Sequence, residues 1–330
     1  MLLNKEDKIF VAGHNGMLGK SLVSRFLAEG FTNLLTANKK QLDLGDYEKT
    51  DDFIKKESPD IVVICAAKVG GIKANIDFPA DYLLENLKIQ NSIIESSFKN
   101  NVRRLLFIGS SCIYPKFAKQ PIVEEALLTS ALEPTLEPYA LAKITGLKMC
   151  EALRRQYDFD TICLMPSNLY GPGDNFNENN SHVLPSLIRK FHFAKKANIP
   201  YLTCWGSGNV LREFLYVDDL SDAILVSLKK WDPSLKGAPK LDDNSMLTYL
   251  NVGVGKDISI KELADLIANV VGYRGEIRWD LTKKDGTPRK LLDISRIEKL
   301  GWSQKTKLKD GLKTTYDYFL KSLSEGSTRL

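Results

Sequence analysis

Short apolar runs alternate with stretches of helical periodicity through the first half of the chain. Apolar residues recur at helical spacing from Met17 to Glu29, and Gly30 is expected to end that helix. Strands that are apolar throughout and alternate with helices are typical of a parallel sheet covered on both faces. The pattern therefore predicts an α/β fold with a doubly wound parallel sheet of the Rossmann type. Five runs are predicted to be its strands: 8–12 (KIFVA), 33–37, 61–65 (IVVIC), 104–109 (RLLFIG) and 161–166 (TICLMP).

The pattern changes after Gly171, where a polar loop (GPGDNFNENNSH) begins. Beyond it, short strands and helices with frequent Gly and Pro predict a smaller, mixed α/β lobe that binds the substrate. The stretch 213–230 (EFLYVDDLSDAILVSLKK) resembles a strand end followed by an amphipathic helix, so the chain is expected to return to the first lobe there. The predicted division assigns residues 1–171 and 213–246 to the Rossmann lobe, and residues 172–212 and 247–330 to the substrate lobe.

Composition excludes several classes of protein. The 330 residues carry 46 Lys and Arg against 41 Asp and Glu, and this excess of +5 is spread along the chain without a basic block, so no nucleic-acid partner is expected. The five cysteines contain no Cys-x-x-Cys pair, which predicts neither a disulfide framework nor a metal site. We find no signal-like amino end and no apolar run near the roughly 20 residues of a membrane span. We therefore expect a cytoplasmic protein with no membrane partner.

The segment from Gly13 to Gly19 (GHNGMLG) is a Gly-x-x-Gly-x-x-Gly turn between the first predicted strand and the first helix. Small residues there let the backbone approach a pyrophosphate, which the amide groups and dipole of the helix stabilise. A glycine turn alone also occurs as a plain structural turn. Its strand and helix flanks favour a dinucleotide site.

The end of the second predicted strand distinguishes the two nicotinamide dinucleotides. A carboxylate for the adenosine ribose is usual at this point, but the sequence reads Ala37-Asn38-Lys39-Lys40. Cations there favour a ribose that carries a 2′-phosphate, which predicts NADP over NAD. The alternative is that both lysines belong to a solvated loop.

Tyr139 and Lys143 are four residues apart in a predicted helix, so their side chains share one face. An ammonium beside a tyrosine is expected to lower the phenol's pKa from its ordinary value of about 10. Ser110 follows the fourth predicted strand, at the edge of the sheet where ligands of doubly wound folds bind. The alternatives are a surface pair on a helix and a serine in a turn, but the three together favour a Ser-Tyr-Lys catalytic set.

These features resemble the extended short-chain dehydrogenase/reductase family across essentially the whole chain. Within it, the chain is similar to the GDP-L-fucose synthases, which are GDP-4-keto-6-deoxymannose 3,5-epimerase-4-reductases. The segments that carry this resemblance occur in the expected order: AGHNGMLG, AAKVGGIKAN, GSSCIYPK, EPYALAK, NLYGPGDNF, SHVLP, WGSG, REFLYVDD and DGTPRKLLD.

The resemblance implies an NADPH-dependent enzyme that epimerises carbons 3 and 5 of GDP-4-keto-6-deoxymannose and then reduces carbon 4. It places the acid and base of the epimerisation on Cys112 and His182, and the reduction on Ser110, Tyr139 and Lys143. Without the resemblance, Cys112 would be a small buried hydrophobe and His182 a loop residue.

The resemblance also implies a set of ligand contacts. Substrate contacts fall on Lys190, Trp205, Arg212 and Asp285. Asn15 departs from the family, in which an arginine is common at this position, so one cation fewer is expected near the cofactor phosphates. The implied cofactor contacts are Gly13, His14, Asn15, Gly16, Met17, Leu18, Gly19, Lys39, Lys40, Gln41, Leu42, Asp43, Leu44, Ile108, Gly109, Ser110, Ser111, Lys143, Pro166, Ser167, Asn168, Leu169 and His182.

By the same resemblance we expect a homodimer built from the helices around 81–99 and 139–157. Three alternative functions stay open. A 4,6-dehydratase would need a Thr-Asp-Glu trio where this chain has Ser110-Ser111-Cys112, and a 4-epimerase would retain NAD and need no Cys/His pair. A catalytically silent dinucleotide sensor would have no need of the Ser-Tyr-Lys set.

Overall fold

The computed structural model describes residues 2–283 and 285–330. In chain order its strands are β1 (Ile9–Ala12), β2 (Leu34–Leu35), β3 (Ile61–Ile64), β4 (Arg104–Ile108), β5 (Asp160–Pro166), β6 (Asn168–Tyr170), β7 (Tyr201–Trp205), β8 (Leu211–Arg212), β9 (Phe214–Tyr216), β10 (Tyr249–Val252), β11 (Ile258–Ser259), β12 (Glu276–Asp280) and β13 (Arg289–Lys290). Its α-helices are α1 (Met17–Ala28), α2 (Tyr47–Glu57), α3 (Ile72–Asp77), α4 (Pro79–Lys99), α5 (Glu137–Tyr157), α6 (Val183–Lys196), α7 (Val217–Lys230), α8 (Ile260–Val271), α9 (Ser295–Glu298) and α10 (Leu308–Ser324).

A six-stranded parallel sheet forms the centre of the larger lobe, in the order β10-β5-β4-β3-β1-β2. Its register pairs Ile9 with Ile61 and Ile61 with Arg104. Strands β1, β3 and β4 are buried along their whole length, because helices cover the sheet. The predicted α/β fold with a doubly wound parallel sheet is confirmed.

The five predicted strands all form, and the second is shorter than expected, since only Leu34 and Leu35 pair with β1. Helix α1 begins at Met17 and ends at Ala28, within one residue of the predicted end. Because the strands are parallel, their carboxyl ends meet at one edge of the sheet. The glycine turn after β1, the serine after β4 and the segment after β5 therefore lie along the same edge.

The smaller lobe has its own apolar core, which is separate from the core around the central sheet. Helices α6, α8 and α10 pack together there, and residues such as Phe191, Leu263 and Phe319 are fully buried. Strand pairs β7–β12 and β8–β13 border this lobe. Helices α6, α8 and α10 and these strand pairs all come from the chain beyond Tyr170.

The predicted boundary at residue 247 needs a correction. Strand β10 (Tyr249–Val252) pairs with β5 as an edge strand of the central sheet, whereas the sequence predicted it in the substrate lobe. Leu292, Ile297 and Trp302 likewise pack in the core of the larger lobe. The pairing with β5 determines this placement. The four residues of β10 are too few to show a periodic pattern of their own.

Glu213 connects three segments near the junction of the lobes. Its buried carboxyl accepts hydrogen bonds from the amides of Val254, Gly255 (2.7 Å) and Leu292 (3.1 Å). Burial raises its pKa to about 7, against the opposing effect of these hydrogen bonds. The contacts tie the β8–β9 segment to the loop after β10 and to the segment after β13.

Replacing Glu213 by alanine is expected to lower the free energy of unfolding by about 3 kcal/mol, because three backbone amides lose their acceptor. Urea unfolding measures the change, with Glu276→Ala on the exposed strand β12 as the matched control. A loss below about 0.5 kcal/mol, the range of ordinary surface substitutions, would contradict this role.

Candidate active site

The turn after β1 is shaped for a close backbone approach. Gly13 has φ +91°, and a Cβ atom there would lie 2.6 Å from the amide nitrogen of Ala66. A Cβ on Gly19 would collide with the carbonyl of Gly13, and the Gly16 amide donates to that same carbonyl at 3.0 Å. The turn thus requires glycine, and it leads directly into the amino end of α1, whose first amides have no partner within the helix.

Two polar atoms along the predicted cofactor contacts are buried and lack a hydrogen-bond partner within the described residues. They are Nδ1 of His14 in the turn and Oγ of Ser167 between β5 and β6. Buried polar atoms are nearly always hydrogen bonded, so such atoms in a cleft indicate a missing ligand. The turn and these two atoms fit a dinucleotide.

The end of β2 carries the cations predicted for a 2′-phosphate. Asn38 Oδ1 accepts hydrogen bonds from the amides of Lys40 (2.9 Å) and Gln41 (3.1 Å), which forms a tight turn. Lys39 and Lys40 are exposed on it, beside the strand that precedes the glycine turn. Leu42, another predicted contact, has its side chain buried in the core.

Ser110, Tyr139 and Lys143 come together beyond β4. Ser110 caps a short 3₁₀ turn, and its Oγ accepts a hydrogen bond from the Cys112 amide at 3.2 Å. The side chain of Ser110 lies close enough to the phenol of Tyr139 to lower its pKa. Lys143 lies one turn further along α5 and donates from Nζ to the carbonyl of Ile108 at 2.9 Å.

The expected lowering of the tyrosine pKa does not occur. Burial raises the pKa of Tyr139 above its ordinary value, the charge of Cys112 acts in the same direction, and the hydrogen bond from Ser110 only partly opposes them. Lys143 directs its ammonium to the Ile108 carbonyl and lies 4.9 Å from the centre of the Phe107 ring. Tyr139 is therefore a neutral phenol at neutral pH, the form that donates a proton.

Lys143 itself has an unusual titration. Burial lowers the pKa of Lys143 to about 8, although the facing thiol of Cys65 acts in the opposite direction. Its positive charge is therefore present below pH 8 and is lost as the pH rises through that value.

If Lys143 binds the cofactor ribose as predicted, we expect kcat/KM for the dinucleotide to fall as the pH rises through about 8, because the Lys143 ammonium loses its proton. A pH–rate profile measures this, with Lys143→Met as the comparison. The variant should be slow and should have no decline at this pH. A decline at pH 8 that persists in Lys143→Met would assign the titration to another group.

Cys112 lies against two cations that the resemblance did not bring together. Nζ of Lys290, a buried residue on β13, is 3.7 Å from the Cys112 sulfur. Arg212 on β8 is also close. Burial lowers the pKa of its guanidinium, and the charges of the nearby Cys112, Glu133 and Asp285 oppose that shift. An ammonium in contact with a sulfur stabilises the negative charge of a thiolate. Lys290 was missed as a site residue, although it belongs to the quoted segment DGTPRKLLD.

His182 is the residue that precedes α6. The backbone of Gly71 packs against Ser181 and His182, and the Gly71 amide donates to the carbonyl of Asn180 at 3.1 Å. The ring of His182 keeps an exposed edge, yet the surrounding protein removes enough water to lower its pKa. Cys112 lies in the 3₁₀ turn after β4, whereas His182 precedes α6. Within the described residues, no hydrogen bond joins the two side chains.

The four predicted substrate residues lie around the smaller lobe. Trp205 is 57% exposed, so it is not a core aromatic, and the ammonium groups of Lys190 and Lys283 lie 5.6 and 5.5 Å from its ring. Asp285 accepts hydrogen bonds from the Ser207 amide (3.1 Å) and hydroxyl (2.7 Å), near Arg212. Lys283 was missed, because the lysines of the polar stretch TKKDG match no motif.

The part of the chain that the structure describes contains no group of His, Cys, Asp and Glu residues arranged to hold a metal ion. It also contains no helix long and apolar enough to cross a membrane. The candidate site at the edge of the central sheet consists of a glycine turn, a Ser-Tyr-Lys set and a cysteine that faces a lysine.

A dinucleotide turn combined with a Ser-Tyr-Lys set defines a nicotinamide-dependent enzyme of the short-chain type. Residues 9–238 match the family model described as the NAD dependent epimerase/dehydratase family, so the chain belongs to that family. Within it, the similarity to GDP-L-fucose synthases extends over nearly the whole length, and the resemblance seen in the motifs is confirmed.

The chain is 50% identical over 322 residues to the putative GDP-L-fucose synthase 2 of Arabidopsis thaliana, covering 98% of this chain and 94% of that protein. It is 46% identical over 318 residues to the GDP-L-fucose synthase of Escherichia coli (strain K12), covering 96% and 98%. Among solved structures, a GDP-D-glycero-L-gluco-heptose synthase from Campylobacter jejuni, determined in the presence of NADPH, superposes with a TM-score of 0.88 at 36% identity, covering 96% and 99%.

Proposed function

We propose that the chain is a GDP-L-fucose synthase that uses NADPH to convert GDP-4-keto-6-deoxymannose by two epimerisations and one reduction in the same site. One observation carries the proposal. Cys112, whose sulfur lies 3.7 Å from Nζ of Lys290, adjoins Ser110 and the neighbouring Tyr139 at the sheet edge. A group for proton exchange thus lies next to a group for carbonyl reduction, and the proposed reaction needs both.

For the epimerisation, we assign proton exchange to Cys112 and His182. The ketone at carbon 4 acidifies the hydrogens on carbons 3 and 5, so removal of either leaves an enolate. Nζ of Lys290 lies 3.7 Å from the Cys112 sulfur, where an ammonium stabilises the negative charge left when the thiol gives up a proton. The lowered pKa of His182 keeps its imidazole neutral, so its free ring nitrogen accepts the carbon-bound proton, and the thiol of Cys112 returns a proton to the enolate on the opposite face.

For the reduction, the chain supplies the acid and its supports. NADPH, when bound, supplies the hydride that reduces carbon 4. Tyr139 donates its phenolic proton to the carbon-4 oxygen as negative charge develops there. Ser110 stabilises the same oxygen by hydrogen bonding, and the Lys143 ammonium holds the cofactor ribose.

For binding, the two ends of the cleft are assigned to the two ligands. The glycine turn and the exposed Lys39 and Lys40 are assigned to the cofactor phosphates. On the smaller lobe, Lys190 and Arg212 are assigned to the diphosphate of the substrate, and Trp205 provides an exposed aromatic face.

We further propose a homodimer in the cytoplasm. Helices α4 and α5 pack side by side, and each leaves a large apolar side chain in solvent, Leu84 (54% exposed) and Leu141 (42% exposed). Two copies of this pair would form a four-helix bundle that covers them. All five cysteines are unpaired, which suits a reducing compartment. A monomer mass by light scattering would contradict the dimer.

The test mixes the purified protein with NADPH and GDP-4-keto-6-deoxymannose, follows the absorbance of reduced nicotinamide and identifies the product by NMR. Oxidation with GDP-L-fucose as product is the expected result. Oxidation that gives only an unepimerised D-sugar would leave a reductase and remove Cys112 and His182 from the mechanism. NADPH binding without turnover would contradict the enzyme and favour a silent sensor.

A further inference from the structure

We propose that Arg329, the penultimate residue of the sequence, is a cofactor-binding residue that supplies the cation for the dinucleotide phosphates at the glycine turn. This inference rests on the proposed use of NADPH. It begins from one contact across the whole chain, in which a guanidinium nitrogen of Arg329 donates to the carbonyl oxygen of Asn15 at 3.2 Å.

The segment that carries Arg329 is held against the rest of the protein. The carbonyl of Arg329 accepts a hydrogen bond from the Phe176 amide at 3.0 Å, which fixes it to the polar loop after β6. The hydroxyls of Thr328 and Ser322 are 2.7 Å apart, and the Ser327 amide donates to the carbonyl of Ser322 at 2.9 Å. These contacts connect the segment to α10 and direct the arginine to the turn.

The guanidinium is available for an anion. Arg329 is exposed, and within the described residues its side chain donates one hydrogen bond, to the neutral carbonyl of Asn15, and forms no ion pair with a carboxylate. The carboxyl that responds to its charge is Asp174. Burial raises the pKa of Asp174 to about 7, although the charge of Arg329 opposes that shift, so this acid is only partly ionised at neutral pH.

The surroundings of Arg329 suit phosphate. Helix α1 begins two residues after Asn15, and the amide groups at the amino end of this helix attract anions. Lys20 of α1 lines the same small cavity as Arg329, and its exposed ammonium adds a second cation. Asn15 itself is exposed and uncharged. The guanidinium beside the turn therefore comes from Arg329, in a distant part of the sequence. Guanidinium groups bind phosphate oxygens with paired, charge-assisted hydrogen bonds.

The test measures the dissociation constants of NADPH and NADH by fluorescence titration, which requires no turnover. Arg329→Gln is the main variant, because its amide still donates to the Asn15 carbonyl while the charge is removed. We expect about tenfold weaker NADPH binding, with a deficit that shrinks at high salt. Lys313→Ala, which removes an exposed cation from α10, is the charge-matched control and should bind as the wild type does.

A loss confined to NADPH would support the proposal and assign Arg329 to the 2′-phosphate, and an equal loss for NADH would support it and assign the residue to the pyrophosphate. Unchanged binding of both would overturn it. Asn15→Arg, added to Arg329→Gln, should recover most of the affinity while changing the wild type little, since the two positions serve one phosphate. A wild type that binds NADPH but turns over no keto sugar would contradict the proposed reaction and leave this test intact.

Discussion

Replacing Cys112 by serine is expected to abolish deuterium incorporation at carbons 3 and 5 of the substrate, a loss of at least about 100-fold. A serine hydroxyl is far less acidic than a thiol, so the Lys290 ammonium 3.7 Å away has no thiolate to stabilise. The measurement incubates the variant with GDP-4-keto-6-deoxymannose in deuterated water and follows both positions by NMR. NADPH is omitted, so that reduction does not remove the ketone.

Cys150→Ala is the matched control, because this buried cysteine on α5 faces the core and not the cleft. It should exchange as the wild type does. Lys290→Met should slow exchange in the same direction as Cys112→Ser without abolishing it, since the sulfur remains and loses only its cation. Unchanged exchange in Cys112→Ser would refute the assignment of this residue as an acid or base.

The sequence predicted the sheet because its strands are determined by local pattern. Runs such as IVVIC are apolar at every position, and only a sheet covered on both faces buries them completely. The same logic fails for β10, where Tyr-Leu-Asn-Val is short and its neighbours give no period. Pairing with β5 across the fold decides that strand.

The placement of Tyr139 and Lys143 on one helix face was predictable from their spacing, but their electrostatics were not. The four-residue interval between Tyr139 and Lys143 places both on one face of α5, as the helix period requires. Whether the lysine lowers the pKa of the phenol depends on the position of its ammonium. That ammonium donates a hydrogen bond to the Ile108 carbonyl. Burial then dominates the pKa of Tyr139, and burial is a property of the folded chain.

Lys290 and Arg329 illustrate a second limit of sequence reasoning. Lys290 is 178 residues from Cys112 along the chain, and Arg329 is 314 residues from Asn15. Neither pair has a spacing that a motif could encode, because the contacts arise from the packing of the two lobes. The residues that complete a site from distant segments are therefore those that a pattern search misses.

Tyr139→Phe is expected to lower kcat for NADPH oxidation by about 100- to 10,000-fold while leaving deuterium exchange at carbons 3 and 5 nearly intact. The change removes one hydroxyl, and that hydroxyl is the proton donor to the carbon-4 oxygen. The raised pKa of Tyr139 keeps it in the neutral, donating form. Stopped-flow absorbance of the reduced nicotinamide measures the loss, and Tyr157→Phe, at the exposed end of the same helix, is the control.

This result and that for Cys112→Ser test the two halves of the chemistry against each other. If Tyr139 and Cys112 act in separate steps, the tyrosine variant exchanges without reducing, and the cysteine variant oxidises NADPH only to make an unepimerised sugar. Loss of exchange in Tyr139→Phe would mean that the phenol also polarises the ketone during enolate formation. Cys112, Ser110 and Tyr139 would then act as one unit rather than as two adjoining sites.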